Sequence, residues 1–468
     1  MSLHRLRSDF ERLHHLMLSS VATNRVEATA LHLVRGFLAD NNLHETLAAL
    51  EREAAEPLAD IADLVPLTSR PLVGVIEELQ DLTLHSSLKQ LAIQDALDSG
   101  LVPAPGAAPL ATSSDAARVF HGIHHANILC VAPTTLPAAV FPEHALPDDY
   151  VRVLLTGSAD KSLRISDAAS GQLLATLGHP ASPVLAVAVH PSIPTIAATA
   201  CMDGSVHLVD LAARTVLADW ARSHAKYVTQ CAFSPCGSWL VTGSHDRSVN
   251  IYRLASAPGG PHPPSYTKRH TTTFKGAVES MCILRAGSAS TPSPTLVVGV
   301  REDNNLHYID LDDAESLQAT PVNLNANGDA WVSFTPVHMA PSPSGAHLAV
   351  YTDAKSGRII VFQTRTSRIV RDLWGVEADG FTQASCCWHP SGNYLFASSD
   401  NRSILVFHAA SGRIVDKLVG HEGLVRHIVF DGEQSALVSV SYDRTVRVWP
   451  IGGASRPALV RSNDSMEL

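Results

Sequence analysis

Two sets of residues in this sequence carry the side-chain types of a nucleophilic hydrolase. One is His421, Ser439 and Asp443, with Trp449 close behind; the other is His224, Thr242 and Asp246, followed by Tyr252. A hydroxyl, an imidazole and a carboxylate can together activate an oxygen nucleophile. A catalytic constellation normally occurs once per domain, whereas one that recurs with the period of a repeat belongs to the scaffold. The expectation is therefore a structural role for all of these residues, no catalytic residue and no enzyme.

Metal and redox chemistry find little support. The chain has 24 histidines, but no HExxH or paired His/Asp spacing occurs, and His14–His15 read as solvated surface. The seven cysteines are odd in number, and neither Cys231/Cys236 nor Cys386–Cys387 has the CxxC spacing of a zinc or thiol-redox site. Reduced thiols in the cytoplasm or nucleus are expected, with no metal and no cofactor. The net charge of −10 argues against general affinity for phosphate backbones, although a local basic patch is compatible with that total. The N-terminus has charges throughout and no apolar stretch, so neither a secretory signal nor a membrane span is expected.

The elements that position these residues repeat. From Val119 onward the pattern is short apolar alternation split by Gly, Asp, Ser and Pro. The last unit, Gly420 to Trp449, reads as three strands with Asp443 in the turn between the second and third. The same turn recurs at Asp160, Asp203, Asp246, Asp303, Asp353 and Asp400, and successive positions lie 43, 43, 57, 50, 47 and 43 residues apart. A four-stranded unit of about 40–45 residues is a propeller blade, and seven of them close a ring. A lone blade would leave two naked edges and an uncovered apolar face, which the next blade buries.

These units resemble WD40 repeats. The resemblance rests on GH openers at Gly178–His179 and Gly420–His421, and on tight turns at Ser234–Gly237, Ser342–Gly345 and His389–Gly392. The WD dipeptide itself is eroded, as at Ser166–Asp167, Val209–Asp210 and Ile309–Asp310. The resemblance implies a buried chain of hydrogen bonds running from Asp to His to Ser to Trp. It also implies a ring latched by residues 118–122, which would supply the outermost strand of the last blade.

In this architecture the turns between second and third strands share one face with the entries to the inner strands. The entry positions are read as Asn127, Pro183, Tyr227, Ala277, Trp331, Phe381 and Leu424. Tyr227, Trp331 and Phe381 would then stand around one rim beside Lys226, His245, Arg301 and Tyr442, residue types that concentrate in protein-binding hot spots. Extra length falls in Thr134–Asp149, Ala255–His270 and Arg285–Pro294, all at the opposite face.

Upstream, residues 1–100 are helical in pattern. Asn24–Glu27 and Asn42–Glu45 fit helix-start signals. The segment Leu31 to Ala54 resembles a LisH motif, a dimerising helical hairpin, with Leu31, Val34, Phe37, Leu38, Leu43, Leu47 and Leu50 as its apolar stripe. The chain thus divides into an N-terminal helix (1–24), the hairpin (25–56), a helical segment (57–100), a flexible linker (101–117), an all-β seven-bladed propeller (118–453) and a disordered tail (454–468). A LisH hairpin ahead of a propeller is similar to lissencephaly-type dynein regulators, transducin-beta-like corepressors and LisH-containing splicing factors. The expectation is a homodimeric scaffold that binds protein partners on the propeller face. The alternatives are a nucleic-acid-associated complex subunit or, third, an enzymatic propeller.

Overall fold

The computed structural model describes residues 110–112, 117–144, 148–178, 181–255, 264–284, 294–312, 317–325, 328–355, 357–378 and 384–452. The helical segments, the hairpin with its stripe from Leu31 to Leu50, and the tail lie outside the described residues. So do Phe381, His179 and residues 285–293.

Among the described residues, twenty-nine strands form seven antiparallel sheets. Each inner strand packs against the next, and that of blade seven (Val425–Asp431) packs against that of blade one (Ile128–Pro137), so the ring closes. The expected seven-bladed all-β propeller is what the chain forms.

Burial explains the closure. Second strands such as Ile196–Cys201, Trp239–Ser244 and Ala436–Ser441 are buried at every residue, because each blade is covered on both faces. The apolar side chains gather into eight clusters, a large one at each of the seven blade interfaces and a small one of Cys130, Val184 and Cys201 between blades one and two. Between blades three and four, for example, Trp239, Val241 and Ile251 meet Leu296, Val298 and Ile309. Each fully buried Val, Leu or Ile contributes about 1.5–3 kcal/mol, so the interfaces between blades carry much of the stability.

The latch is also present. Arg118–Phe120 pairs with Val446–Val448 as the outer strand of blade seven. Phe120 fills the seam between blades seven and one, against Leu154, Ala168 and Val448. Gly171 (φ 75°) approaches so closely that a Cβ there would strike the Phe120 ring, which only glycine avoids. Arg118 donates to the Ala169 carbonyl at 2.9 Å and to Gln434 Oε1 at 2.8 Å.

Three expectations need correction. Within the segment read as a flexible linker, Ala111–Thr112 pairs with Ile451–Gly452, and Leu110 donates its N–H to the Tyr394 hydroxyl at 3.3 Å. Of the extra length in blade one, Thr134–Pro137 continue the inner strand and Phe141 is wholly buried, so half of that insertion is a lengthened hairpin. In blade three, Tyr266–His270 belong to the outer strand, Tyr266–Thr273.

Candidate functional site

The triad-like residues come first. Trp449 donates its indole N–H to Ser439 Oγ at 2.8 Å; that hydroxyl lies 2.8 Å from His421 Nε2; and His421 Nδ1 lies 2.7 Å from Asp443 Oδ2. Asp443 also accepts the backbone N–H groups of Glu422 and Thr445, at 3.0 and 2.9 Å. Every donor in the chain has an acceptor, and Ser439 has no exposure, so no substrate carbonyl can reach its oxygen. Burial pushes the Asp443 carboxyl up, but its bonds to His421 and Thr445 outweigh that and hold it far below the usual range. Burial dominates at His421 and keeps the imidazole neutral.

Blade three repeats the arrangement with one difference. His224 Nδ1 lies 3.2 Å from Asp246 Oδ2, and its Nε2 2.8 Å from Thr242 Oγ1. Tyr252 occupies the register position of Trp449, but its buried hydroxyl makes no regular hydrogen bond, only loose approaches to Ser223, Asn250 and Thr242. Asn250 instead approaches His224 Nε2, at 3.1 Å. A third copy lies in blade one, unanticipated from sequence: His124 Nδ1 is 2.9 Å from Asp160 and its Nε2 2.8 Å from Thr156 Oγ1. Three copies in one ring are scaffold.

The binding face is set by one repeated hydrogen bond. In every blade the first residue of the turn after the second strand donates its N–H to a carbonyl at the entry to the inner strand. The pairs are Ala159–Asn127, Met202–Pro183, His245–Tyr227, Arg301–Ala277, Asp353–Thr335, Asp400–Glu377 and Tyr442–Leu424, at 2.8–3.1 Å. Five entry positions agree with the sequence reading. Blade five uses Thr335 in place of Trp331, and blade six uses Glu377 in place of Phe381. In blade six the turn position belongs to Asn401, not Asp400: Asn401 accepts the Ser403 N–H at 3.2 Å, and the residue after it, Arg402, is left-handed (φ 68°).

On this face Tyr227 stacks on His245, ring centroids 4.7 Å apart. Next to them Arg301 Nε donates to Glu279 Oε1 at 2.7 Å, and the same oxygen lies 3.9 Å from His245 Nε2. Lys226 is exposed beside Tyr227; burial lowers the His245 pKa against the pull of Glu279, and the charges of Lys226 and Arg301 add to that lowering. Glu279 escaped the sequence reading. It sits in a register shift between Val278 and Ser280, a bulge that re-aims its side chain toward the rim. Arg426 occupies the same kind of bulge in blade seven and bonds Tyr442.

The other predicted rim residues stand apart. Trp331 lies in the loop ahead of blade five and is 74% exposed. Its carbonyl accepts from Asn325 at 2.7 Å, and its N–H donates to Asp329 at 3.1 Å, so the backbone is fixed while the indole faces solvent. Tyr442 is 36% exposed. The structure therefore brings together Lys226, Tyr227, His245 and Arg301 around Glu279. The neighbouring arc, on blades five and six, carries Asp353, Glu377 and Asp400, whereas blade three presents the exposed cations Lys226 and Arg247.

Residues 171–210, 218–253, 381–408 and 412–450 match the family described as "WD domain, G-beta repeat". The propeller is built of WD40 repeats. The WD40 repeats are similar to those of periodic tryptophan protein 2 of Saccharomyces cerevisiae, 44% identical over 14% of this chain and 7% of that protein. The U3 small nucleolar RNA-associated protein 21 homolog of Schizosaccharomyces pombe is 32% identical over 23% of this chain and 12% of its own length. The U5 small nuclear ribonucleoprotein 40 kDa protein of Pongo abelii is 36% identical over 13% and 16%. The chain thus spans less than a fifth of each of these relatives. Among the described residues no group of three or more His, Cys, Asp or Glu is placed to hold a metal ion, and no helix is long and apolar enough to cross a membrane.

Proposed function

We propose that this protein is a non-enzymatic scaffold subunit of an RNA-associated complex, docking protein partners on the rim that carries Tyr227, His245, Arg301 and Trp331. The observation that carries the scaffold reading is the threefold use of Asp–His–Ser/Thr chains as sealed internal braces, with aromatic and charged side chains left for the rim. Two of the relatives named above bear RNA in their names, which supports the RNA-associated reading over a general cytoplasmic scaffold, and a nuclear location with it. An exposed tryptophan on a pinned backbone is a ready anchor, since Trp, Tyr and Arg supply large area at little ordering cost. The LisH-like stripe from Leu31 to Leu50 supports a homodimer, in which two rims would engage a bivalent partner together.

The test is affinity purification of wild-type protein against a Tyr227→Ala/Trp331→Ala/Arg301→Ala variant, with partners identified by mass spectrometry. Loss of co-purifying ribonucleoprotein subunits from the variant alone is the expected result. An unchanged partner set would refute the rim as the docking site, and a wild-type set without RNA-associated proteins would refute the complex class.

A further inference from the structure

The chain as a whole is acidic, with 45 Asp and Glu against 35 Lys and Arg. Blade three reverses that balance. From residue 224 to 278 there are six lysines and arginines against one carboxylate, Asp246, and the outer strand of blade two alongside adds Asp219. Asp246 is engaged by His224, and Asp219 lies 3.4 Å from His207. The cations Lys226, Arg247, Arg253, Lys268, Arg269 and Lys275 are all exposed; Lys268 is attracted by Asp246, and among the described residues the other five form no ion pair. Arg253 lies over the Trp239 ring, 5.2 Å from its centroid, an apolar seat that leaves its charge unneutralised.

The outer strand of this blade, Tyr266–Thr273, is eight residues long, so it spans about 27 Å. The outer strands of the other blades have three to six residues. It is paired on one side only. Charged residues on an edge strand often serve to discourage aggregation. That role does not account for this strand: the others carry no base, one base, or a base beside an acid, whereas this one carries adjacent Lys268 and Arg269 and no acid. Arg269 also falls in a register shift, between the pairs Ile251–His270 and Tyr252–Lys268, which turns its side chain out of the regular alternation.

We infer that the outer edge of blade three binds the phosphodiester backbone of single-stranded RNA. The exposed side chains of the strand are Thr267, Lys268, Arg269, Thr271 and Thr273, cations and hydroxyls with no apolar residue among them. Phosphate oxygens are recognised by this set. An acidic protein partner would need an aromatic or aliphatic anchor in a desolvated pocket, which the strand does not offer. The inference rests on the RNA-associated reading above, but it uses a different surface from the rim.

The experiment is fluorescence anisotropy of a labelled single-stranded oligouridylate titrated with the full-length protein. Each phosphate contact on single-stranded nucleic acid adds about −0.7 to the slope of log affinity against log salt, so three to four contacts predict a slope of about −2 to −3. Lys268→Glu/Arg269→Glu should weaken binding by tenfold or more and flatten the slope by about 1.4. Lys268→Gln/Arg269→Gln, which adds no new charge to the edge, should move both readings the same way with an unchanged melting temperature. Wild-type protein that ignores the oligonucleotide at low salt, variants that bind like wild type, or equal capture of polyglutamate or of phosphatidylserine vesicles would each overturn the assignment. These variants should retain their protein partners in the affinity purification, so failure here and failure of the scaffold reading are separately visible.

Discussion

Arg152, on the second strand of blade one, grips Asp431, at the end of the inner strand of blade seven, through two N–H···O bonds of 3.0 and 2.7 Å. The carboxylate is wholly buried and the guanidinium 18% exposed, and the pair spans the seam where the ring closes. Removing one partner of a buried pair leaves the other uncompensated. Arg152→Ala is expected to cost about 3 kcal/mol, the low end for such a loss because Asp431 keeps the backbone N–H groups of Glu433 and Gln434. Urea unfolding measures it; an unchanged midpoint would mean that the apolar seam around Phe120 alone holds the ring.

The braces make a second prediction, by contrast. Trp449 and Tyr252 are register equivalents, but only the indole makes a regular hydrogen bond. Trp449→Phe leaves Ser439 Oγ without its donor and is expected to lower stability by about 1–3 kcal/mol. Tyr252→Phe removes a buried hydroxyl that makes only loose approaches to Ser223, Asn250 and Thr242, and its melting temperature should fall by less than that of Trp449→Phe. Equal losses in the two variants would contradict the assigned hydrogen bonds.

Acid should unfold the propeller in a defined order. Burial lowers the imidazoles of His124, His224 and His421, and it lowers His338 and His427 to about 4 and about 3, with Arg426 adding to both. Unfolded histidine ionises near 6.5, so below that pH the unfolded chain takes up protons that the folded chain refuses. This stability is fully present above about pH 6.5 and is lost as the pH falls toward about 3. Asp160, raised by burial but held at about 2 by its bonds to Ser162 and His124, contributes above its unfolded value and is lost only below it. Thermal melts from pH 8 to 4 should therefore begin to fall near pH 6.5, about two units before the carboxylates respond. A flat profile down to pH 4.5 would rule out the neutral histidines as the cause.

Glu279→Ala frees Arg301 and removes the carboxylate facing His245. Partner capture on the rim is expected to drop several-fold while melting falls by about 1–3 kcal/mol, because a buried acceptor of a charged donor is lost. Arg301→Ala should reproduce the binding loss and destabilise at least as much, since it leaves the Glu279 carboxylate, 4% exposed, facing only His245 at 3.9 Å. Binding that survives both changes would move the docking surface away from blades three and four.

Light scattering tests the N-terminal reading. A chain lacking residues 1–60 is expected to be monomeric, and a persisting dimer would assign the association to another surface.

The blades themselves were legible in the sequence because strand alternation and the turn Asp recur at near-constant period. The misreadings arose where blade length varies. His124 stands 32 residues before Thr156, whereas His224 and His421 stand 18 before Thr242 and Ser439, because the long hairpin of blade one intervenes. The four-residue step from hydroxyl to Asp, the same in all three blades, was the signal that would have found it. Trp331 and Phe381 were placed at entry positions by counting, but backbone hydrogen bonds select Thr335 and Glu377. Glu279 left no mark in the pattern, because a bulge aims a side chain without changing residue type. The basic edge was hidden by averaging over a chain of net charge −10.

The pairing of Arg118–Phe120 with Val446–Val448 also sets a timetable. Six blades can assemble as they leave the ribosome, but the seventh lacks its outer strand until residues made just before blade one meet residues made more than 300 positions later. During that interval blade seven has a bare edge and Phe120 has no seam to fill. Long-range closure of this kind is slow and exposed to misassociation. Folding of this ring should consequently depend on chaperones in proportion to how long the two ends are kept apart, and mutations at the seam should reduce cellular abundance before they impair any binding.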